Sequence, residues 1–177
     1  VTATLPHAFY RRPTTAVARD LLGKILVHHE TTGRIIEVEA YLGIGDLAAH
    51  SARGLTPRTR VIFGPPGHAY VYLIYGMYEC LNVVAEPDGT PGCVLIRALQ
   101  PLTGLETMRQ RRGPRDLTGG PGKLTRALAI TRAHNGQDLT CGPLRILDAP
   151  VPIEPIFVMP RIGIKQSADL PLRFLLP

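Results

Sequence analysis

The segment that most constrains this chain is Arg34-Ile-Ile-Glu-Val-Glu-Ala-Tyr-Leu42, followed closely by His50. Its residues alternate at the period of an extended strand. Ile36, Val38, Ala40 and Leu42 fall on one face, and Ile35, Glu37, Glu39 and Tyr41 on the other. The first face is apolar and needs a core. The second sets two carboxylates and a phenol along one side, about 7 Å between alternate residues. A Gly-rich turn and a histidine come next, which suits the wall of a pocket. A half-exposed strand with a solvated acidic face fits the same pattern.

Around that strand the chain punctuates itself often, with 18 glycines and 17 prolines spread throughout. Thr14 or Thr15 can cap a short helix carrying Val17, Ala18, Leu21 and Leu22, stopped by Gly23. Ile25 to His29 reads as a strand, and Thr31 to Gly33 as the turn into the central one. Leu47 to Ser51 reads as a helical turn, and Thr56-Pro57 as a helix start. Residues 69–74 and 78–85 predict a hairpin with Tyr75 near its tip, and four of the six tyrosines fall here. Cys93 to Ala98 predicts a buried strand. Thr103-Gly-Leu-Glu106 predicts a capping box opening a helix with Leu105 and Met108 inward. Arg109 to Arg115 reads as a basic loop, and Gly119-Gly-Pro-Gly-Lys123 as the start of another helix. Strands follow at Arg161–Ile164 and Leu172–Phe174. With strands dominant and no sustained βαβ rhythm, the expected class is α+β. The expected architecture is a single compact domain over residues 1–177, with a curved, mainly antiparallel sheet, flanking helices and a protruding β-hairpin.

Net charge narrows the partners. It is +6, and only three of the 20 basic residues are lysines. Such a balance suits a polyanion, although many small soluble proteins are basic without one. No apolar run approaches the ~20 residues of a membrane span, and the N-terminal residues lack the pattern of a secretory signal. Cys80, Cys93 and Cys141 are widely spaced, which points to reduced thiols rather than a disulfide framework. His50 and His68 lack metal-binding spacing. The glycines before Lys123 do not make a P-loop, although such a helix start can hold a phosphate. No nucleophilic triad is marked. What remains is acid–base chemistry with aromatic walls. A carboxylate beside Tyr and His suits activation of water. A tyrosine at a hairpin tip suits wedging between bases, and tyrosines on one hairpin face suit stacking on a heterocycle or simply covering a sheet.

Taken together, these segments resemble the alkyladenine (3-methyladenine) DNA glycosylase family, of the monofunctional type. The matching motifs are Ala18-Arg-Asp-Leu-Leu-Gly-Lys24, Ile36-Glu-Val-Glu-Ala-Tyr-Leu-Gly43, Ala48-Ala-His-Ser51, Thr56-Pro-Arg58 and Gly67 to Tyr78. Leu81-Asn82, Val94 to Ala98, Gly104 to Arg109, Gly120 to Leu124, Arg161 to Ile164 and Pro171 to Phe174 complete the set. The resemblance runs from about residue 9 to 174. It implies that Glu39, rather than Glu37, is the general base for water, with Arg97 and the carbonyl of Ile162 helping to hold that water. It implies that Tyr41, His50 and Tyr72 form the pocket for a flipped base, with Asn82 as gatekeeper against guanine's amine. Tyr75 is implied as the wedge in the DNA, and Arg53, Arg58 and Lys123 as phosphate contacts. The implied partner is double-stranded DNA containing damaged purines. The implied protein is a monomer without metal or cofactor and without a membrane, in the cytoplasm or nucleoid of a bacterium or the nucleus of a eukaryote. Two departures stand out: the chain stops at Leu175-Leu-Pro177 where the family usually carries a short tail, and Arg109–Leu117 is shorter than in the animal proteins.

Overall fold

Local hydrogen bonding decides where each element starts and stops in the computed structural model, which describes residues 3–150 and 152–177. Helix α1 (His7–Tyr10) is one turn, and α2 (Thr14–Leu21) buries Val17, Ala18 and Leu21 as the apolar spacing requires. Neither threonine caps α2. Its N-cap position is Pro13, and the donor is satisfied from across the chain: the Thr14 amide and hydroxyl both donate to Glu86 Oε1, at 2.6 and 2.8 Å. A long-range carboxylate at a helix start does the work expected of a local cap.

The strands are β1 (Ile25–His28), β2 (Thr31–Tyr41), β3 (Ala69–Ile74), β4 (Tyr78–Val84), β5 (Cys93–Thr103), β6 (Leu144–Leu147), β7 (Phe157–Met159) and β8 (Arg173–Leu175). Every ladder between them is antiparallel. The sheet runs β3-β4-β5-β2-β1-β6, and β8 pairs Glu37–Glu39 of β2 and carries β7 at its outer edge. This is the α+β domain with a curved antiparallel sheet expected from the sequence. Its main core packs α2 and α4 (Pro121–Ala127) against the sheet through residues such as Leu21, Val38, Val83, Ile96 and Leu124. A smaller cluster of Ile62, Tyr70, Val84 and Cys93 underlies the tyrosine side of the hairpin.

Several expectations are corrected. The turn into β2 lies at His29-Glu30, where His29 has φ +53°, and Thr31 already belongs to the strand. The helical turn near His50 begins at that residue and ends at Arg53, and the next one spans Arg60–Phe63. The capping box is absent: α3 (Leu105–Arg112) starts at Gly104, in the left-handed region at φ +74°, and Leu105 is exposed while Met108 is buried. Thr103 instead donates to the carbonyl of Glu30. Arg109, Arg111 and Arg112 are therefore helical, not part of a loop. Arg161–Ile164 is not a strand.

The clean alternation of β2 also breaks. Ile35 is fully buried in the core with Val38 and Ala40, not on the glutamate face. Against β5 the register shifts near Thr32 and then twice between Ile35 and Val38, pairing Ile35 with Leu99, Glu37 with Ala98 and Val38 with Ile96. Ile36 on β2 and Arg97 on β5 are the unpaired residues of two offset bulges. A bulge shifts the parity of side chains and re-aims its neighbours, so Ile35 and Val38 share the core face while Glu39 and Tyr41 leave it. Removing the Glu86 cap is expected to cost about 1–2 kcal/mol. Urea unfolding of Glu86→Ala checks this, and an unchanged midpoint would show that α2 needs no distant cap.

Candidate active site

Glu39 is the centre of the site by its burial. Its residue is 0% exposed, and a carboxylate there needs donors. The Tyr41 hydroxyl donates to Oε2 at 2.9 Å, and the Ile162 amide donates to Oε1 at 2.8 Å. Arg97 Nη1 lies 3.4 Å from the same Oε1. An ionised carboxylate offers about four acceptor positions; the two hydrogen bonds take one on each oxygen, Arg97 adds its charge beside Oε1, and Oε2 keeps an open position. Glu37 is engaged differently. It sits between Arg97 Nε at 3.2 Å and Arg173 Nη1 at 3.0 Å, and ties β8 to the bulged pair β2–β5. Tyr41, Ile162 and Arg97 around Glu39 all line one cavity, whereas of the two arginines on Glu37 only Arg97 does.

That cavity has a volume of about 580 Å³. Tyr41, Arg97 and Ile162 line it, as do His50, Tyr70, Tyr72 and Asn82. Strand period places Tyr70 and Tyr72 on one hairpin face, and their rings lie 5.5 Å apart. His50 packs edge-on against Tyr72 at 4.6 Å, and its Nδ1 is 2.9 Å from the Tyr70 hydroxyl. Burial, with the Arg58 guanidinium nearby, pushes His50 down to about 4, so its imidazole is neutral at physiological pH. Burial holds the Tyr72 phenol well above its ordinary value. Burial does the same for Tyr41, with the Glu39 charge adding to it. Asn82 is 2% exposed and its side-chain amide donates to the Tyr70 carbonyl at 3.1 Å, which fixes its orientation in the wall.

The rim comes from the hairpin tip and α4. Tyr75 and Gly76 have φ of +54° and +68°, and the Met77 amide donates to the Ile74 carbonyl at 3.2 Å. Positive φ at both central residues is the type I′ arrangement, which glycine adopts freely and tyrosine rarely. The Tyr75 side chain is thereby held in solvent, 78% exposed, at the cavity edge. Gly122 lets α4 approach the hairpin, since a Cβ there would meet Tyr78 at 3.0 Å. Lys123 lines the cavity but is ion-paired with Asp116. Arg58 lies over the Tyr72 ring at 5.4 Å, and Arg53 is exposed at the end of the His50 turn. Ile162 also contributes its amide, which donates to Glu39. Among the described residues, no three His, Cys, Asp or Glu side chains are grouped as a metal site.

Comparison with known proteins decides the family. Residues 8–177 match the family model described as methylpurine-DNA glycosylase. The chain belongs to this family. It is 55% identical over 183 residues to a protein of Methanoculleus marisnigri named "Putative 3-methyladenine DNA glycosylase", covering 98% of this chain and 95% of that one. Proteins carrying the same name in Chlorobaculum tepidum and Legionella pneumophila are each 50% identical. The alignments cover 92% and 96% of this chain, and 82% and 92% of those proteins, respectively.

One part of this methylpurine-DNA glycosylase site escaped the sequence. Arg161, with a side chain 0% exposed, donates to both oxygens of Asp46 at 2.6 and 2.8 Å and to the Ala40 and Ser167 carbonyls. Its guanidinium stands 4.6 Å from the Tyr41 ring centroid. Asp46 also accepts the Leu42 and Ala48 amides. One ion pair therefore joins the end of β2, the loop leading to His50 and the segment carrying Ile162. Burial alone would raise the Asp46 pKa, but the hydrogen bonds from Arg161, Leu42 and Ala48 outweigh it and hold the carboxyl below its usual value. Its contribution to stability is present above the ordinary aspartate pKa and is lost as pH falls through the lowered one. The partners are 115 residues apart, beyond any local spacing rule. Arg161→Met strands a buried carboxylate and is expected to cost about 3–5 kcal/mol, whereas Arg161→Met with Asp46→Asn is expected to cost less. Urea unfolding of both variants checks this. Equal losses would show that the stranded charge is not what the single variant suffers from.

Proposed function

We propose that this chain rotates an alkylated purine out of duplex DNA into the tyrosine-lined cavity and hydrolyses its N-glycosidic bond with water activated by Glu39. The coarser statement follows from the family: the chain is a monofunctional DNA glycosylase for alkylated purines such as 3-methyladenine. The observation that carries the finer reading is the buried Glu39 carboxylate, with two hydrogen-bond donors and one cation drawn from the cavity walls and an acceptor position open on Oε2.

In this reading the exposed Tyr75 enters the stack and fills the space left by the extruded nucleotide, at a cost of a few kcal/mol for unstacking. The base lies among Tyr41, His50 and Tyr72. A purine alkylated at N3 or N7 is cationic, and electron-rich rings favour it by about 0.5–2 kcal/mol. The same charge makes it a good leaving group. Neutral His50 is a poor acid for a base that must be protonated to leave, so cationic lesions are favoured and deaminated purines are the harder substrates. Asn82, fixed by the Tyr70 carbonyl, crowds the position of guanine's exocyclic amine.

As the bond breaks, positive charge develops on the sugar. Glu39 takes the water's proton and stands opposite that charge. A positioned base supplies about 10²–10⁴-fold. Arg97 holds the carboxylate, and the Ile162 carbonyl, which accepts no hydrogen bond among the described residues, is free to receive one from the water. Arg53, Arg58 and Lys123 meet backbone phosphates, Lys123 by exchanging its Asp116 partner. In this reading the protein acts as a monomer on duplex DNA, and we take the nucleoid as its place of action. Lys123 is the lysine that lines the cavity and it is paired with Asp116, so in this reading water is the nucleophile and the product is an intact abasic site and free base.

Incubation with methylated duplex is expected to release free 3-methyladenine without strand cleavage and without a covalent adduct on borohydride treatment. A trapped adduct that Lys123→Ala removes would overturn the mechanism. Tight binding to damaged duplex with no base released would leave only a DNA-binding module.

A further inference from the structure

Arg173 stands opposite Glu39 in the β2–β8 register, but its guanidinium reaches diagonally to the other carboxylate of the strand. Its Nη1 donates to Glu37 Oε1 at 3.0 Å, and the same oxygen accepts Arg97 Nε at 3.2 Å. Arg97 Nη1 in turn lies 3.4 Å from Glu39 Oε1. Four charges of alternating sign thus run Arg173–Glu37–Arg97–Glu39, from β8 through β2 and β5 back to β2. The first three side chains are 14–20% exposed and Glu39 is 0% exposed, so solvent screens this row only weakly.

The same guanidinium also holds backbone. Arg173 Nε donates to the Pro160 carbonyl at 2.9 Å, and Nη2 lies 3.5 Å from Met159 Sδ. Pro160 is two residues before Ile162, whose amide donates to Glu39 Oε1 at 2.8 Å. Two routes that start on one guanidinium therefore end on one oxygen. The other oxygen, Oε2, takes the Tyr41 hydrogen bond and keeps the open position. A planar fork with donors on three nitrogens can span a carboxylate and a carbonyl at once, whereas an ammonium is a single point of charge.

We propose that Arg173 is a positioning residue for the general base, acting through Glu37 and Arg97 on one route and through the Pro160–Ile162 backbone on the other. The proposal rests on the reading of Glu39 as that base. Arg97 is shared by two carboxylates, which compete for one guanidinium. Arg173 compensates Glu37 and so leaves Arg97 Nη1 to Glu39. Without Arg173, Glu37 keeps a single cation and draws Arg97 toward itself, and Glu39 loses the charge beside Oε1. The tether on Pro160 goes with it, and so does the placement of Ile162. Arg173 meets neither base nor water in this scheme, yet a displacement of about 1 Å at the reacting groups can cost about 10²-fold in rate.

The test is single-turnover release of 3-methyladenine from methylated duplex at saturating enzyme, with thermal unfolding and affinity for a tetrahydrofuran-containing duplex measured on the same preparations. Arg173→Met is expected to slow release by about 10- to 100-fold while keeping the wild-type affinity. Arg173→Met combined with Glu37→Gln is expected to recover part of that loss, because the competing carboxylate is gone and Arg97 returns to Glu39. A lowered Tm with a wild-type rate in the folded enzyme would make Arg173 merely structural and overturn the proposal. A double variant no faster than Arg173→Met would also overturn it, as would rate and affinity lost in equal proportion, which would make Arg173 a binding residue. Arg173→Lys carries the decision if Arg173→Met does not fold. It keeps the charge without the fork, so a several-fold slower rate at unchanged affinity is expected, and a wild-type rate would overturn the proposal. A wild-type protein that releases no base would instead sink the reading of Glu39, and this proposal with it.

Discussion

A carboxylate without solvent must be surrounded by donors, and the placement of those donors around Glu39 governs much of the surrounding structure. Tyr41 reaches it from two residues along the same strand, Arg97 from the neighbouring strand, and Ile162 from a segment more than a hundred residues away. Each belongs to a different wall of the same cavity. Assembling the charge and assembling the pocket are therefore one event. A site made this way is rigid where chemistry needs it, because each donor loses its own satisfaction if the carboxylate moves.

Two devices bring those donors together. The paired bulges at Ile36 and Arg97 turn Glu39 and Arg97 toward each other while leaving Ile35 and Val38 in the core. The buried Arg161–Asp46 pair then ties the loop before His50 and the segment of Ile162 to the end of β2, with the guanidinium over the Tyr41 ring. Neither device touches the proposed substrate. Both hold what does. The exposed hairpin tip is the complement: its strain is carried by Tyr75 in a left-handed conformation, where few contacts oppose it.

Much of this was legible in the chain. The extended β2 segment, the hairpin with Tyr75-Gly76 at its turn, the buried face of α2 and the α4 start at Pro121 follow from periodicity and turn chemistry. The residues carried over from the family resemblance line one cavity and its rim, apart from the exposed arginines 53 and 58 and the fully buried Glu39, which meets the cavity through its partners Tyr41, Arg97 and Ile162. Three-dimensional partners were not legible. Glu86 replaces the threonine cap of α2, Gly104 displaces the capping box of α3, and the bulges reverse the parity expected of Ile35. Arg161 looked like part of a strand because nothing nearby in sequence announces Asp46. Propensity and period describe one element at a time, and these features belong to pairs of elements.

The central claim is that Glu39 is the base and Glu37 a structural partner of Arg97 and Arg173. Its most direct test is single-turnover release of 3-methyladenine by Glu39→Gln and Glu37→Gln, alongside their affinity for a duplex with a tetrahydrofuran abasic site. Glu39→Gln is expected to lose about 10²-fold or more in rate while keeping affinity within a few-fold, and Glu37→Gln to lose far less rate. Equal rate losses in the two variants, or a larger loss in Glu37→Gln, would contradict the account.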